Sequence, residues 1–213
     1  MNGEVGEAAA RSYVRDLGVS RETLGRLETY VDLLLRWTRR VNLISASTAD
    51  AVWTLHILDS VQIWPFAPHA PALWLDLGSG GGLPGIVCAI LAADLSPKTR
   101  MHLVESDRRK SAFLMTCLRE LDLDATVHAC RIENLSMELA DVISARAVAP
   151  LPRLFELCAP HAAPSTVLLF PKGARYAEEI EAARSQWRFT ADARPSITDP
   201  AARILRCHLQ GGT

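Results

Sequence analysis

The sequence has almost no net charge: 23 Lys and Arg against 24 Asp and Glu leave a formal value of −1. That balance excludes an overall positive field that draws in nucleic acid, so a nucleic-acid partner has to meet a local basic patch. No C-x-x-C occurs. The five cysteines (Cys88, Cys117, Cys130, Cys158, Cys207) are scattered and odd in number, which predicts buried, reduced thiols rather than disulfides or a zinc site. No apolar run is long enough to span a bilayer. The start, "MNGEVGEAAARSYV", has neither a basic n-region nor a continuous apolar h-region. A soluble, cytoplasmic chain with no metal is therefore expected. Repeats and low-complexity tracts are missing as well. What remains is 213 residues, 49% hydrophobic and 22% charged, enough to bury the core of one α/β domain with a small appendage.

Up to about residue 66 the pattern is helical. Leu24, Leu27, Val31, Leu34 and Leu35 recur at three- and four-residue steps behind Ser20, a plausible N-cap. After "NLISASTAD", Ser47 or Thr48 is expected to cap a second helix carrying Val52, Leu55, Ile57, Leu58 and Val61, which the prolines of "WPFAPHAPA" end. From residue 73 short apolar runs alternate with helical segments. "LWLDL", "MHLVES", "ATVHAC", "DVISARA" and "TVLLFPKG" read as strands, and the segment around "RFTADARPS…AARILRCHLQ" as a terminal pair. "PGIVCAILAADL" and "DRRKSAFLMTCLRELDL" read as helices, the latter capped by Ser106 or Asp107. This β-then-α order predicts a mostly parallel, doubly wound sheet.

Between the first strand and its helix stands "GSGGGLPG", with five glycines in eight residues. Glycine lets the backbone approach a ligand and take positive φ, and the helix that follows offers free N–H groups. Gly80 to Gly85 satisfies G-x-G-x-x-G, the dinucleotide fingerprint, but begins too far beyond the strand. Moreover, Asp76 puts a carboxylate at the loop, which disfavours a pyrophosphate and suits a cation. Hydrophobic-hydrophobic-Asp-Leu-Gly-x-Gly-x-Gly resembles the loop of S-adenosylmethionine-dependent methyltransferases. Glu105, ending the second strand, is positioned to accept two ribose hydroxyls. Ile132 and Glu133 of "RIEN" are positioned for an adenine. On this reading Asp76, Gly80, Gly82 and Glu105 share one cofactor pocket.

"NLISASTADAVWTLHILDS", "LDLGSGGGLPGI", "VESDRRKSAFL", "RIEN", "VISARAVAPL" and "FPKG" occur in the order found in one family. From about residue 24 onward the chain resembles the glucose-inhibited division protein B family of small-subunit rRNA methyltransferases, also abbreviated GidB or RsmG. The resemblance implies a class I methyltransferase fold, Rossmann-like with a mostly parallel seven-stranded sheet. With the change of pattern near residue 66, the chain is expected to divide into an N-terminal helical extension (1–66) packed on the core and a methyltransferase domain (67–213). The resemblance also implies S-adenosyl-L-methionine as cofactor, with contacts from Gly78, Leu83, Ile132, Glu133 and Arg146. The implied reaction is methylation of N7 of a guanine in the decoding region of 16S rRNA, on rRNA, the small subunit or a precursor, by a monomer. One departure is visible: many members carry Arg before the H-I-L-D-S histidine, where this chain has Leu55.

Guanine N7 has a lone pair and no proton, so the reaction needs alignment rather than a general base. The sequence agrees by omission, since "VISARAVAP" holds neither an Asn/Asp-Pro-Pro-aromatic motif nor a Pro-Cys. Arg146, at the end of the fourth strand, is the single candidate for a direct part in catalysis. Arg36, Arg39, Arg40, Arg108, Arg109 and Lys172, with Lys110 beside them, are candidates for RNA contact. His56 and Asp59, three apart on one helical face, read as packing and loop-anchoring residues. Two other readings share the glycine loop: a non-catalytic RNA-binding or ribosome-assembly factor that retains the pocket, and a methyltransferase for a small molecule or protein.

Overall fold

A computed structural model describes residues 6–210; the ends of the two expected segments, 1–5 and 211–213, lie outside the described residues. Seven strands form one sheet in the order β3-β2-β1-β4-β5-β7-β6. They are β1 (Leu73–Leu77), β2 (Arg100–Val104), β3 (Ala125–His128), β4 (Ala140–Ala145), β5 (Ala162–Lys172), β6 (Phe189–Pro195) and β7 (Arg203–Leu209). β1 pairs in parallel with both β2 and β4, while β7 runs antiparallel between β5 and β6. The order reverses at β1 and β4, and ligands of open α/β sheets bind beyond the carboxyl ends of the strands at such a switch point.

Every residue of β1 is buried, as expected for a strand covered on both faces. Its period-2 alternation divides two cores. Trp74 joins a cluster with Leu27, Ile86, Leu103 and Phe113, whereas Leu73, Leu75 and Leu77 join Leu154, Phe155 and Phe170 on the other face. On the first face lie α1 (Glu7–Asp16), α2 (Arg21–Thr38), α4 (Gly85–Leu95) and α5 (Arg108–Glu120); on the second lie α6 (Leu151–Cys158) and α7 (Tyr176–Arg184). Gly85 to Ala92 of α4 are all buried, because the sheet covers one side of this helix and the N-terminal helices the other. That explains a helix apolar all round. Ser20 does cap α2, accepting from the Thr23 N–H at 3.2 Å, and Asp94 of α4 accepts from the Ser20 N–H at 2.6 Å and the Thr23 hydroxyl at 2.7 Å. Asp107, not Ser106, caps α5 through the Arg109 and Lys110 amides.

The segment 46–61 departs from the regular helix expected there. It winds as a 3₁₀ stretch (Ala46–Ala51), a π-helical stretch (Trp53–Leu58) and the short α3 (Asp59–Val61). The cap is Ser45, which accepts from the Ser47 N–H at 3.3 Å, and not Ser47 or Thr48. Thr48 instead turns its hydroxyl toward His56. Arg11 of α1 lies over the Trp53 ring at 4.0 Å from the centroid, fixing this segment from outside. Among the described residues no helix is long and apolar enough to cross a membrane, and no group of three His, Cys, Asp or Glu is placed to hold a metal.

Candidate active site

The chain leaves β1 through Gly78, Gly80 and Gly82, all at positive φ (+66°, +55° and +83°), before entering α4. Two of these conformations are needed for more than turning. A Cβ on Gly78 would lie 2.6 Å from Val148 Cγ2, and one on Gly82 2.5 Å from Ile86 Cγ1. Above Gly80 a Cβ would meet nothing closer than the Gly78 carbonyl at 3.7 Å, so the loop is open there. The N-terminal helices support it from behind, since the Tyr30 hydroxyl donates to the Gly81 carbonyl at 2.5 Å.

Glu105, at the end of β2, clamps the loop. Its Oε2 accepts from the Gly80 N–H at 2.9 Å and its Oε1 from the Asp107 N–H at 2.7 Å. Each carboxylate oxygen keeps a further lone pair for a ligand hydroxyl.

Asp76 corrects the reading of the loop. Its carboxylate does not face the ligand space: it is wholly buried beneath the loop, on the α4 side of the sheet. Oδ1 accepts from the Ser144 hydroxyl at 2.6 Å, and Ser144 in turn accepts from the Trp74 indole N–H at 3.0 Å. Oδ2 has no hydrogen-bond partner among the described residues, and a side chain at Gly85 would collide with it and with Leu103. Burial pushes this acid up to about 6, against the opposing pull of the Ser144 hydrogen bond and the Arg146 charge. Gly82 likewise stands behind the loop, against Ile86 and Tyr30, rather than in the cavity.

Two chambers open beyond the strand ends. The larger, of about 840 Å³, is lined by Gly78, Gly80, Leu83, Arg146 and Lys172 among others. The smaller, of about 380 Å³, is lined by Glu105, Ile132 and Glu133 with Val104 and Leu157. Gly78, Val148 and Ala149 border both, so the two chambers meet at the start of the glycine loop. Ala147, between Arg146 and Val148, takes a positive φ of 56°, a conformation sparsely used by residues other than glycine and concentrated at functional sites.

Arg146 leaves the end of β4 and pairs with Asp59 at 2.9 Å, Nη1 to Oδ2, with both side chains mostly buried. Its Nη2 lies 3.3 Å from His56 Nδ1. Thus His56 and Asp59 line the larger chamber beside Arg146, closer to the chemistry than their sequence reading suggested. Burial, with the Arg146 charge, lowers His56 to about 4 despite Asp59 nearby.

The basic candidates divide. Lys110 and Lys172 line the larger chamber, but Lys172 is committed: its ammonium donates to the Ala149 carbonyl at 2.9 Å and to Glu179 at 2.7 Å. Arg36, Arg39, Arg40, Arg108 and Arg109 are exposed and line neither chamber. Glu133 spends part of its charge on Arg153 at 2.6 Å. The sequence reading missed Arg175, Arg203 and the β6–β7 connection, which supplies Ser196, Thr198 and Asp199 as one wall. Its polar "PSITDPAAR" was the available signal. Four cysteines are buried and Cys130 half-buried, all free, and burial raises the thiols of Cys88, Cys117, Cys158 and Cys207, which argues against a nucleophilic role.

Comparison with known proteins adds identity to this geometry. A family model described as "GidB: rRNA small subunit methyltransferase G" matches residues 23–203. A ribosomal RNA small subunit methyltransferase G from Cereibacter sphaeroides is 55% identical over 190 residues, covering 89% of this chain and 91% of its own. One from Jannaschia sp. is 46% identical over 208 residues, 96% of this chain and 98% of its own. Among solved structures, an O-methyltransferase from Bacillus cereus in complex with SAH superposes with a TM-score of 0.59 at 16% identity, covering 95% of this chain and 97% of that one. A ribosomal protein L11 methylase from Lactobacillus delbrueckii subsp. bulgaricus gives 0.58 at 15% identity, covering 72% and 78%. At such low identities these two structures speak for the shared fold alone.

Proposed function

The chain belongs to the rRNA small subunit methyltransferase G family, and from that premise we propose that it transfers a methyl group from S-adenosyl-L-methionine to N7 of a guanine in the decoding region of 16S rRNA. It does so as a monomer in the cytoplasm, on rRNA, the small subunit or a precursor. The observation that carries the proposal is the meeting of two chambers at Gly78, one with a carboxylate at its wall and the other with a guanidinium.

The residues present fit the cofactor. The smaller chamber combines the Glu105 carboxylate, suited to vicinal hydroxyls, with the apolar side chains of Ile132, Val104 and Leu157, suited to a purine. The open space above Gly80 lets the main chain come close to a ligand, and Gly78 and Leu83 continue that cradle into the larger chamber. Glu133 borders the purine position, while Asp76 acts from beneath by shaping the turn and by its charge. When bound, S-adenosyl-L-methionine supplies an electrophilic methyl on a sulfonium.

The protein's remaining task is orientation. Guanine N7 presents an in-plane lone pair and no proton, so no side chain has to remove one. His56 agrees with this, since both of its ring nitrogens are engaged and it is held neutral. A methyl accepted at N7 would leave the purine cationic, so the part of this chain's own residues is to hold the purine in line and tolerate that charge. Arg146 lines the larger chamber and not the smaller one, so in place of the cofactor contact the resemblance implies it serves by donating hydrogen bonds to the nucleotide, which aligns the acceptor, and not by proton transfer. The target guanine has to leave its stack to enter the chamber. Lys110, Arg175 and Arg203 at that chamber supply contacts for the flanking phosphates, with Arg36, Arg39, Arg40, Arg108, Arg109 and Lys172 as more peripheral or indirect contributors.

Gene deletion followed by borohydride and aniline cleavage of small-subunit rRNA tests the reaction. Loss of one N7-methylguanine, restored by the purified chain with S-adenosyl-L-methionine, is expected. Persistence of every such site overturns the proposal.

A further inference from the structure

The Arg146 guanidinium has five N–H donors, and its surroundings account for three. Nη1 donates to Asp59 Oδ2 at 2.9 Å and, more weakly, to the Leu55 carbonyl at 3.5 Å; Nη2 donates to His56 Nδ1 at 3.3 Å. The two that find no acceptor among the described residues are Nε–H and the second N–H of Nη2. They belong to adjacent nitrogens on one edge of the plane.

The tautomer of His56 follows from its partners. The Thr48 hydroxyl spends its single proton on the Ser45 carbonyl at 2.9 Å, so toward His56 Nε2 at 2.8 Å it can only accept. Nε2 therefore carries the ring proton, which leaves Nδ1 as a bare acceptor facing Arg146. An arginine, having no lone pair to offer, demands the same assignment. Asp59 is fixed just as firmly from the other side, because its Oδ1 accepts from Gln62 Nε2 at 2.8 Å and from the Thr198 hydroxyl at 2.9 Å. Gln62, itself buried, also accepts the Ile197 N–H at 2.8 Å. The carboxylate that holds Arg146 is thereby tied to the β6–β7 connection, the wall of the same chamber.

We infer that Asp59 and His56 are positioning residues that act through Arg146, holding its guanidinium so that the Nε–Nη2 edge is presented to the nucleotide in the larger chamber. The inference rests on the reaction proposed above and adds the part played by this clamp. Planar donor pairs of this kind match the paired oxygens of a phosphate, which leaves the guanine N7 lone pair free for the methyl. A lysine at 146 would keep the charge and lose the geometry.

Two measurements test it. In methyl incorporation into 16S rRNA, Asp59→Asn keeps an Oδ1 for Gln62 and Thr198 but turns an amide toward Arg146. It is expected to lower kcat/KM for RNA at least about tenfold, with S-adenosylmethionine affinity changed less than about twofold. On an Arg146→Ala background the same substitution is expected to cost no more than about a further twofold. Equal losses on both backgrounds, or a parallel loss of cofactor affinity, overturn the inference. The second measurement needs no substrate: long-range ¹H–¹⁵N spectra of the ligand-free protein should show His56 protonated at Nε2 alone, and in Arg146→Ala the proton should stay on Nε2 while the Nδ1 resonance moves toward that of an acceptor without a donor. A proton on Nδ1 in the unsubstituted protein, or a spectrum unmoved by Arg146→Ala, overturns the clamp whatever the reaction proves to be. Conversely, wild-type protein that shows the expected tautomer but methylates no rRNA refutes the proposed reaction and leaves the clamp standing.

Discussion

The Asp76 carboxylate and the Ser144 hydroxyl meet at 2.6 Å across the two neighbouring strands between which the sheet reverses its order. Ser144 also receives the Trp74 indole N–H, so one hydroxyl satisfies two buried groups. Ser144→Ala is therefore expected to leave Trp74 and Asp76 each short of a partner and to destabilise the fold by about 2–4 kcal/mol. Urea unfolding of the variant checks this, and a change below the usual surface range of about 0.5 kcal/mol contradicts it.

Asp76 and His56 should pull the stability in opposite directions with pH. Asp76 is raised in the folded state from 3.8 to about 6, so the native protein binds more protons than the unfolded chain between those values. Its contribution falls as pH rises through that window. His56 is lowered from 6.5 to about 4, so its contribution grows as pH rises from 4 to 6.5 and is lost as pH falls. Relative to the unsubstituted protein, Asp76→Asn should gain stability as pH rises from 4.5 to 6, and His56→Gln should lose it. Denaturation series at several pH values check the two slopes, and equal signs would refute the assignment.

Gly78→Ala forces a side chain into positive φ and against Val148, which borders both chambers. The expected outcome is a loss of S-adenosylmethionine affinity of at least about tenfold, with a strain cost on the order of 1–3 kcal/mol. Calorimetry with the cofactor and a melting curve measure the two effects separately. Undiminished affinity would remove Gly78 from the site.

Lys110 and Arg175 line the larger chamber, and neither forms an ion pair or side-chain hydrogen bond among the described residues. Replacing each with Ala should weaken RNA binding and reduce the slope of log affinity against log salt by about 0.7 per lost phosphate contact on single-stranded RNA. Lys172 should behave otherwise. It is mostly buried on Glu179, so Lys172→Ala leaves a carboxylate unpaired and should lower the melting temperature before it touches the salt slope.

The fold was legible where local pattern and tertiary environment agreed. The mostly apolar runs of β1 and α4 announced a doubly covered sheet, and Ser20 and Asp107 cap helices as their side chains suit them to do. Segment 46–61 was not legible, because apolar spacing at Val52, Ile57, Leu58 and Val61 does not distinguish π from α winding. Asp76 misled for a related reason. Sequence gives its position at a strand end but not its face, and period 2 sets it beside Trp74 under the loop. Nor can a polar stretch such as "PSITDPAAR" reveal that Thr198 meets Asp59, a contact 139 residues apart. The placement of Gly78, Gly80 and Glu105 around the chambers was readable because it depends on their own backbone and on the strand before them.

β7 is the last strand of the sheet to be synthesised, yet it occupies an interior position between β5 and β6. While residues 203–209 are still inside the exit tunnel, β6 has no strand to pair with and β5 keeps a bare edge. The turn that brings Thr198 to Asp59 then has only one of its two anchoring strands. The cavity wall thus closes only once β7 has emerged, and a chain stalled before β7 lacks its completed site.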